Sequence, residues 1–288
     1  MKKIGIIGAT GHLGKSVASI LAEDIHLEIV ALVRDRKKAE KVLPKNIKLV
    51  EGDIFERRSL KSFLNQVEYV YLNLSVLPKQ KKTDLLTERE GLKLFLEEAK
   101  IANIKQIAYI SSLVMQYQGI NEFNWWVFDI KKQAVSQIKT SGIPYLIFYP
   151  SNFMDNFYHV YRKGNKILLA GESKHKMYFI AAQDYAKQVL KAFTIFENQS
   201  KEFYIQGIEG FTADEAAAEF IKHHQKEKLQ ISKAPIFFLK FLGLFIQDLN
   251  YASNIIEALN NYPEKFIATE TWETLGKPET TLAQFARS

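Results

Sequence analysis

A doubly wound parallel α/β sheet is the fold this sequence predicts, and three observations predict it. An apolar run at Ile4, Ile6 and Ile7 breaks into Gly8, Gly11 and Gly14, after which Ser16 to Leu21 reads as a helix. Further apolar runs at 27–33, 47–50, 68–74 and 106–110 are separated by helical patterns, so five strands with intervening helices are in place by residue 110. With 47% hydrophobic and 25% charged residues, the 288-residue chain can bury a sizeable core. That length suits one sheet domain carrying a smaller, mostly helical C-terminal substrate lobe. The expected division is 1–150 for a Rossmann core and 151–288 for the substrate or lid lobe. The lobe is interleaved with the core, because the Asp184 helix and the 202–206 strand can return to it.

Composition narrows the function classes. The chain has no cysteine, which removes disulfides, thiolate nucleophiles and cysteine-based zinc sites and fits a cytoplasmic setting. Met1-Lys2-Lys3 resembles the start of a signal peptide, but the strand reading is preferred because no long apolar region follows. The net charge of +7 is spread over lysine clusters at 36–48, 79–82 and 222–228, each with acids close by. A solvated surface suited to anionic ligands is the expectation, and a nucleic-acid groove is not. His223 and His224 are adjacent and so face different ways, His26, His159 and His175 are isolated, and no metal site is expected.

Taken in order, the first strand enters a glycine turn that opens a helix. Glycine lets the main chain approach an anion, and the helix start offers unpaired N–H groups and a partial positive charge. A bound pyrophosphate needs this arrangement, so a dinucleotide is the expected ligand. The second strand, Leu27 to Val33, ends in Arg34-Asp35, where such a fold meets the adenosine ribose. An acid there pairs with the 2′-hydroxyl of NAD, and an arginine accepts the 2′-phosphate of NADP. Arg34 comes first and Lys38 lies one helical turn on, so NADP(H) is preferred over NAD(H); the alternative is plain surface charge at a strand end. After the third strand, Asp53 is placed to accept from the adenine amino group with Ile54 against the ring, or to form an Asx turn ahead of a helix from Ser59. A helix over Ser59–Gln66 and a strand over Glu68–Leu74 follow. Asn73, Leu74 and Ser75 then lie beneath the ribose and pyrophosphate, since ligands sit at the carboxyl ends of such strands.

A single helix is predicted over Asp84–Ala102 from apolar residues at 85, 86, 92, 94, 95, 96, 99 and 101, and the strand Gln106–Ile110 leads to Ser111-Ser112. The aromatic stretch Asn121–Ile130, with Trp125 at its centre, either walls a pocket or packs under a loop. A helix over Phe128–Ser141 and a sixth strand ending at Tyr149 come next. Residues 151–180 read as loop-rich, with Asn152 and Phe153, alongside Tyr149, proposed for the substrate rim. Gln183–Phe196 reads as a helix, Glu202–Gln206 as a strand, and Thr212-Ala213-Asp214-Glu215 as a capping box opening a helix to Lys226. From Pro235 a phenylalanine-rich run continues to Ile246. It is too short to span a bilayer and reads as a lid or an oligomer contact, hence a homodimer, with membrane-surface docking the weaker reading.

These residues resemble the atypical short-chain dehydrogenase/reductase superfamily, and within it the NmrA-like group of NADPH-dependent quinone reductases and redox-sensing regulators. The resemblance spans almost the whole chain. It rests on Gly8-Ala-Thr-Gly11-His-Leu-Gly14, Ala31-Leu-Val-Arg34 with Lys38-Ala39, Glu51-Gly-Asp53, Tyr109-Ile-Ser111, Ser141-Gly-Ile-Pro-Tyr145 and Asp184-Tyr-Ala186. It implies that Gly8, Thr10, Gly11, His12, Leu13 and Gly14 contact the pyrophosphate and adenosine. Arg34 and Lys38 would hold the 2′-phosphate, Asn73 to Ser75 would line the ribose, and Ser111 and Ser112 would face the nicotinamide. One departure matters most. The superfamily places a tyrosine, the general acid, four residues before a lysine; here Lys131 is present but Val127 stands in the tyrosine's place. Tyr149 stands where many relatives carry an arginine.

The leading expectation is therefore an NADPH-dependent reductase of a small quinone-like or aromatic carbonyl acceptor. Ser111 or Ser112 would donate to the acceptor oxygen, and Lys131 would fix the cofactor ribose or supply charge. The rival is a non-catalytic NADP(H) sensor acting on a protein partner, which the missing tyrosine favours. A third reading is a sugar-nucleotide epimerase using NAD.

Overall fold

Short apolar runs become strands and the amphipathic stretches between them become helices. The computed structural model describes residues 1–288. Its first half contains β1 (Lys2–Ile7), α1 (His12–Glu23), β2 (Leu27–Val33), α2 (Arg36–Val42), β3 (Lys48–Glu51), α3 (Arg57–Leu64), β4 (Tyr69–Leu72), α4 (Leu92–Ile101), β5 (Gln106–Ile110), α5 (Trp126–Lys139) and β6 (Tyr145–Pro150). Then come α6 (Asn156–His159), β7 (Arg162–Lys163), β8 (Lys166–Ala170), β9 (Met177–Tyr178), α7 (Ala182–Ile195), β10 (Lys201–Ile205), β11 (Gly210–Phe211) and α8 (Ala213–His223). The chain closes with β12 (Gln230–Ala234), α9 (Ile236–Gly243), α10 (Gln247–Asn261), α11 (Thr269–Leu275) and α12 (Leu282–Arg287).

Seven parallel strands form the central sheet in the order β10-β6-β5-β4-β1-β2-β3. The chain moves from β1 outward through β2 and β3, then returns to the other side of β1 for β4. This reversal opens the crevice in which doubly wound sheets bind ligands. Ile7 pairs with both Leu32 and Leu72, so Gly8, Arg34 and Asn73 leave the sheet near one level. Both faces are covered. Phe63, Phe95 and Ile138 from α3, α4 and α5 pack on one side. Val17 and Leu21 from α1 and Tyr185 and Val189 from α7 pack on the other. A third, smaller cluster around Phe157, Phe179 and Phe220 belongs to the C-terminal residues.

Strand boundaries agree with the sequence to within a residue or two, and β2 and β5 coincide with it. The Thr212–Glu215 capping box is present in both directions. The single helix expected over 84–102 is not. A π-helical turn at Thr87–Gly91 precedes α4, and it turns the Glu88 carboxylate into the interior. The loop-rich reading of 151–180 missed the β7–β8 hairpin, whose second strand pairs in parallel with the unforeseen β12. α10 was also unforeseen: its asparagines dilute the apolar stripe, and it is held by packing against α9 and the 113–117 turn.

Candidate functional site

The crevice begins where β1 ends. Gly8 takes φ +86°, and a Cβ there would lie 2.3 Å from the Asn73 carbonyl oxygen. A Cβ on Gly14 would lie 2.1 Å from the Gly8 oxygen, so no larger residue fits either position without moving backbone. Asn73 bridges the two strand ends: its Nδ2 donates to the Gly8 oxygen at 3.2 Å and its N–H to Ile7 at 2.9 Å. α1 starts at His12 with no side-chain cap from Gly11. Its first-turn amides, from His12, Leu13 and Gly14, therefore point at the mouth, beside exposed Thr10. This cradle, which a Cβ would fill, fits a dinucleotide pyrophosphate.

At the end of β2 the two candidate ribose ligands part company. Asp35 caps α2, its Oδ1 accepting the Lys38 N–H at 3.0 Å. That backbone bond, helped by the Lys38 ammonium, holds the carboxyl below its ordinary range. Lys38 Nζ lies 3.4 Å from Asp35 Oδ2, while its side chain is otherwise exposed. Arg34 is exposed and makes no hydrogen bond or ion pair within the protein. Asp53 forms the Asx turn, accepting the Phe55 N–H at 3.0 Å ahead of α3. Ile54 is buried against the 87–91 turn rather than presented at the mouth.

Beyond β4 and β5 most of the buried polar groups are already engaged. Leu74 is buried, and the Ser75 carbonyl accepts from Thr87 Oγ1 at 3.0 Å. Ser111 is buried with its hydroxyl 3.3 Å from Met115 Sδ, whereas Ser112 is half-buried at the start of the 113–117 turn. Lys131 does not stand free. Its ammonium lies 2.7 Å from Glu88 Oε1, and the same oxygen accepts from the Tyr109 hydroxyl. The other Glu88 oxygen accepts the Val76 N–H at 3.2 Å. The Glu88 side chain is 0% exposed and that of Lys131 13%. Burial first, and then the Glu88 charge, push the Tyr109 phenol far above its ordinary pKa. Burial and the same charge push Tyr251 up to about 12. Glu88 is the site residue that the sequence reading missed. Its signal was a carboxylate on the buried stripe 88, 92, 95, 99, where an apolar residue belongs.

The proposed substrate side chains are drawn inward. Trp125 sits edge-on to Phe128 and Tyr251, with ring centres 5.0 and 4.9 Å away. Tyr149 stacks on Tyr204 and donates to Glu202 at 2.7 Å. Asn152 donates to the Tyr161 hydroxyl at 2.6 Å and accepts from Asn156 at 2.7 Å. Phe153 packs edge-on to Tyr185. For Tyr149 the reason is topological: it lies on β6, which runs between β5 and β10 with both of its faces covered. His159, read as isolated, instead stacks on His12 at 3.9 Å and ties α6 to the glycine loop.

Known proteins share this architecture. The chain is 24% identical over 259 residues to Photosystem II assembly factor Ycf39 of Trieres chinensis, covering 88% of this chain and 79% of that one. It is 25% identical over 217 residues to an NAD(P)H azoreductase of Xenophilus azovorans, covering 74% and 71%. It is 26% identical over 229 residues to quinone oxidoreductase 2 of Escherichia coli, covering 78% and 75%. The crystal structure of that NADPH-dependent quinone oxidoreductase with NADPH superposes with a TM-score of 0.76 at 22% identity, covering 98% of each chain. The sequence profile of the NmrA-like family matches residues 1–283, and with the Gly8–Gly14 cradle at the β1/β4 reversal in place, the chain belongs to that family.

Proposed function

We propose that the protein is an NADPH-dependent reductase of a small quinone-like or aromatic carbonyl acceptor. The observation that carries the reading is the glycine cradle beside an unpartnered Arg34, with Asp35 committed to capping α2. The dinucleotide, when bound, supplies the hydride. The first-turn amides of α1 would hold its pyrophosphate, and Arg34 and Lys38 its 2′-phosphate. Thr10, Leu74 and Ser75 would border it. Ser112, less buried than Ser111, is the hydroxyl better placed to donate to an acceptor oxygen.

No phenol stands four residues before Lys131, and the ammonium itself is neutralised by Glu88. A quinone suits such a site, because its reduced oxyanion is stabilised by the ring and takes protons from water. Similarity to the quinone oxidoreductase and the azoreductase supports the same chemistry. The missing phenol also disfavours sugar epimerisation, which would use it as the acid. The sensor reading is favoured by the missing tyrosine and by the saturated Lys131–Glu88 pair. Calorimetric titration with NADPH followed by a quinone panel separates the two. NADPH oxidation that requires a quinone is the expected result; tight binding without turnover on any acceptor would replace the reductase with the sensor.

A further inference from the structure

The least explained surface lies around α9. This helix buries only Gly243 and leaves Phe237 and Phe241 70% and 58% exposed, and just past its end Leu244 and Phe245 are exposed too, Phe245 by 77%. Leu77 and Leu85, on the segment that follows β4, are also exposed. Gln247 Nε2 donates to the Gln80 carbonyl at 3.0 Å and joins the two segments into one surface. The rim is basic: residues 77–85 and 236–246 contain four lysines and one acid. Lys240 is paired with Glu257 at 2.8 Å, whereas Lys79, Lys81 and Lys82 are exposed and make no ion pair. No helix of the protein is long and apolar enough to cross a membrane.

We propose that this surface docks the protein on a bilayer rich in anionic lipid. Exposed phenylalanine and leucine side chains enter the headgroup–acyl boundary while flanking lysines meet lipid charge, as interfacial helices do. A second copy of the chain fits less well. A two-fold contact would set this patch against itself and bring the unpaired lysine rims together. The position gives docking a purpose. α10 follows α9 and packs Tyr251 on Trp125, and Tyr262 donates to Gln116 at 2.9 Å in the turn after Ser112. The docking surface thus adjoins the acceptor end of the crevice. On the reductase reading, which this extends, the acceptor is a lipid-soluble quinone taken from the bilayer.

The test is co-sedimentation of the full chain with phosphatidylcholine vesicles, with and without phosphatidylglycerol. The mixed vesicles should carry the protein down and phosphatidylcholine alone should carry little. Phe241→Ser with Phe245→Ser should weaken binding by more than about tenfold. Lys79→Glu with Lys81→Glu and Lys82→Glu should erase the anionic preference. NADPH titration of each variant checks that it is folded. With a quinone dissolved in mixed vesicles, turnover of the phenylalanine variant should fall about tenfold, and with a water-soluble quinone it should match the wild type. Sedimentation no better than with phosphatidylcholine alone, or unchanged in both variants, overturns docking, as does a dimer that the phenylalanine changes disperse. Vesicle binding without turnover on any quinone overturns the reductase reading and leaves the docking surface standing.

Discussion

The two ends of the crevice differ in how far the protein satisfies its own polar groups. At the β1–β2 end, Arg34 has no partner and the first-turn amides of α1 have no side-chain cap. At the β4–β6 end, Glu88 satisfies Lys131, Tyr109 and the Val76 amide together, and Tyr149 and Asn152 are bonded to neighbours. An anion arriving at the first end replaces water around groups that the protein leaves open, so binding it need not break an internal bond. At the second end the charges are already cancelled, and few side chains remain to move a proton. Orientation and exclusion of water are then the main things that end can contribute.

The sharpest way to break the comparison is Lys131→Met. It leaves the fully buried Glu88 carboxylate with only the Tyr109 hydroxyl and the Val76 N–H. Removing one member of a buried ion pair costs about 3–5 kcal/mol. Urea unfolding should show that loss, and adding Glu88→Gln should recover much of it. Unchanged stability together with weakened NADPH binding would return Lys131 to the cofactor ribose and dissolve the contrast.

How much of this was legible depends on the range of the interactions. The glycine cradle is local: residues 4–14 encode strand, turn and helix start within themselves, so the nucleotide end could be read directly. The capping boxes at Thr212 and Thr281 are local in the same way, although only the first was foreseen. The acceptor end is made by contacts distant in sequence. Glu88 meets Lys131 across forty-three residues, and a π turn that no periodicity announces aims it there. Trp125 and Tyr149 carry the same aromatic signal whether they wall a pocket or fill a core. Only the placement of α10 and β10 decides for the core. His159 looked isolated because its partner, His12, lies at the far end of the chain.

Arg34→Ala probes the open end and has a smaller expected effect. Charge-assisted bonds to a phosphate contribute about 1.5–3 kcal/mol, so NADPH should bind about ten- to a hundredfold more weakly. NADH, without the 2′-phosphate, should be nearly unaffected, because Asp35 stays engaged with α2. Equal losses for both coenzymes, measured by calorimetry, would remove the 2′-phosphate assignment and with it the preference for NADP(H).

The smallest effect should come from the His12–His159 stack, which joins the glycine loop to α6. Burial first, then His159 and Lys15, hold the His12 imidazole below its ordinary 6.5, and Asp155 opposes them. The unfolded chain therefore binds more protons than the folded one between that depressed value and 6.5. Stability from this site is present above 6.5 and is lost as the pH falls through the folded value. His159→Ala removes the stack and one of the lowering charges, so His12 should titrate closer to its ordinary value. Thermal unfolding followed from about pH 8 to about pH 5 should then fall less steeply on acidification than in the wild type, by a margin small beside the Lys131→Met effect. Because groups common to both proteins largely cancel in the difference, identical slopes would mean that the stack contributes nothing and that α6 is placed by other contacts, among them the bond that Asp155 accepts from the Ala182 amide at the start of α7.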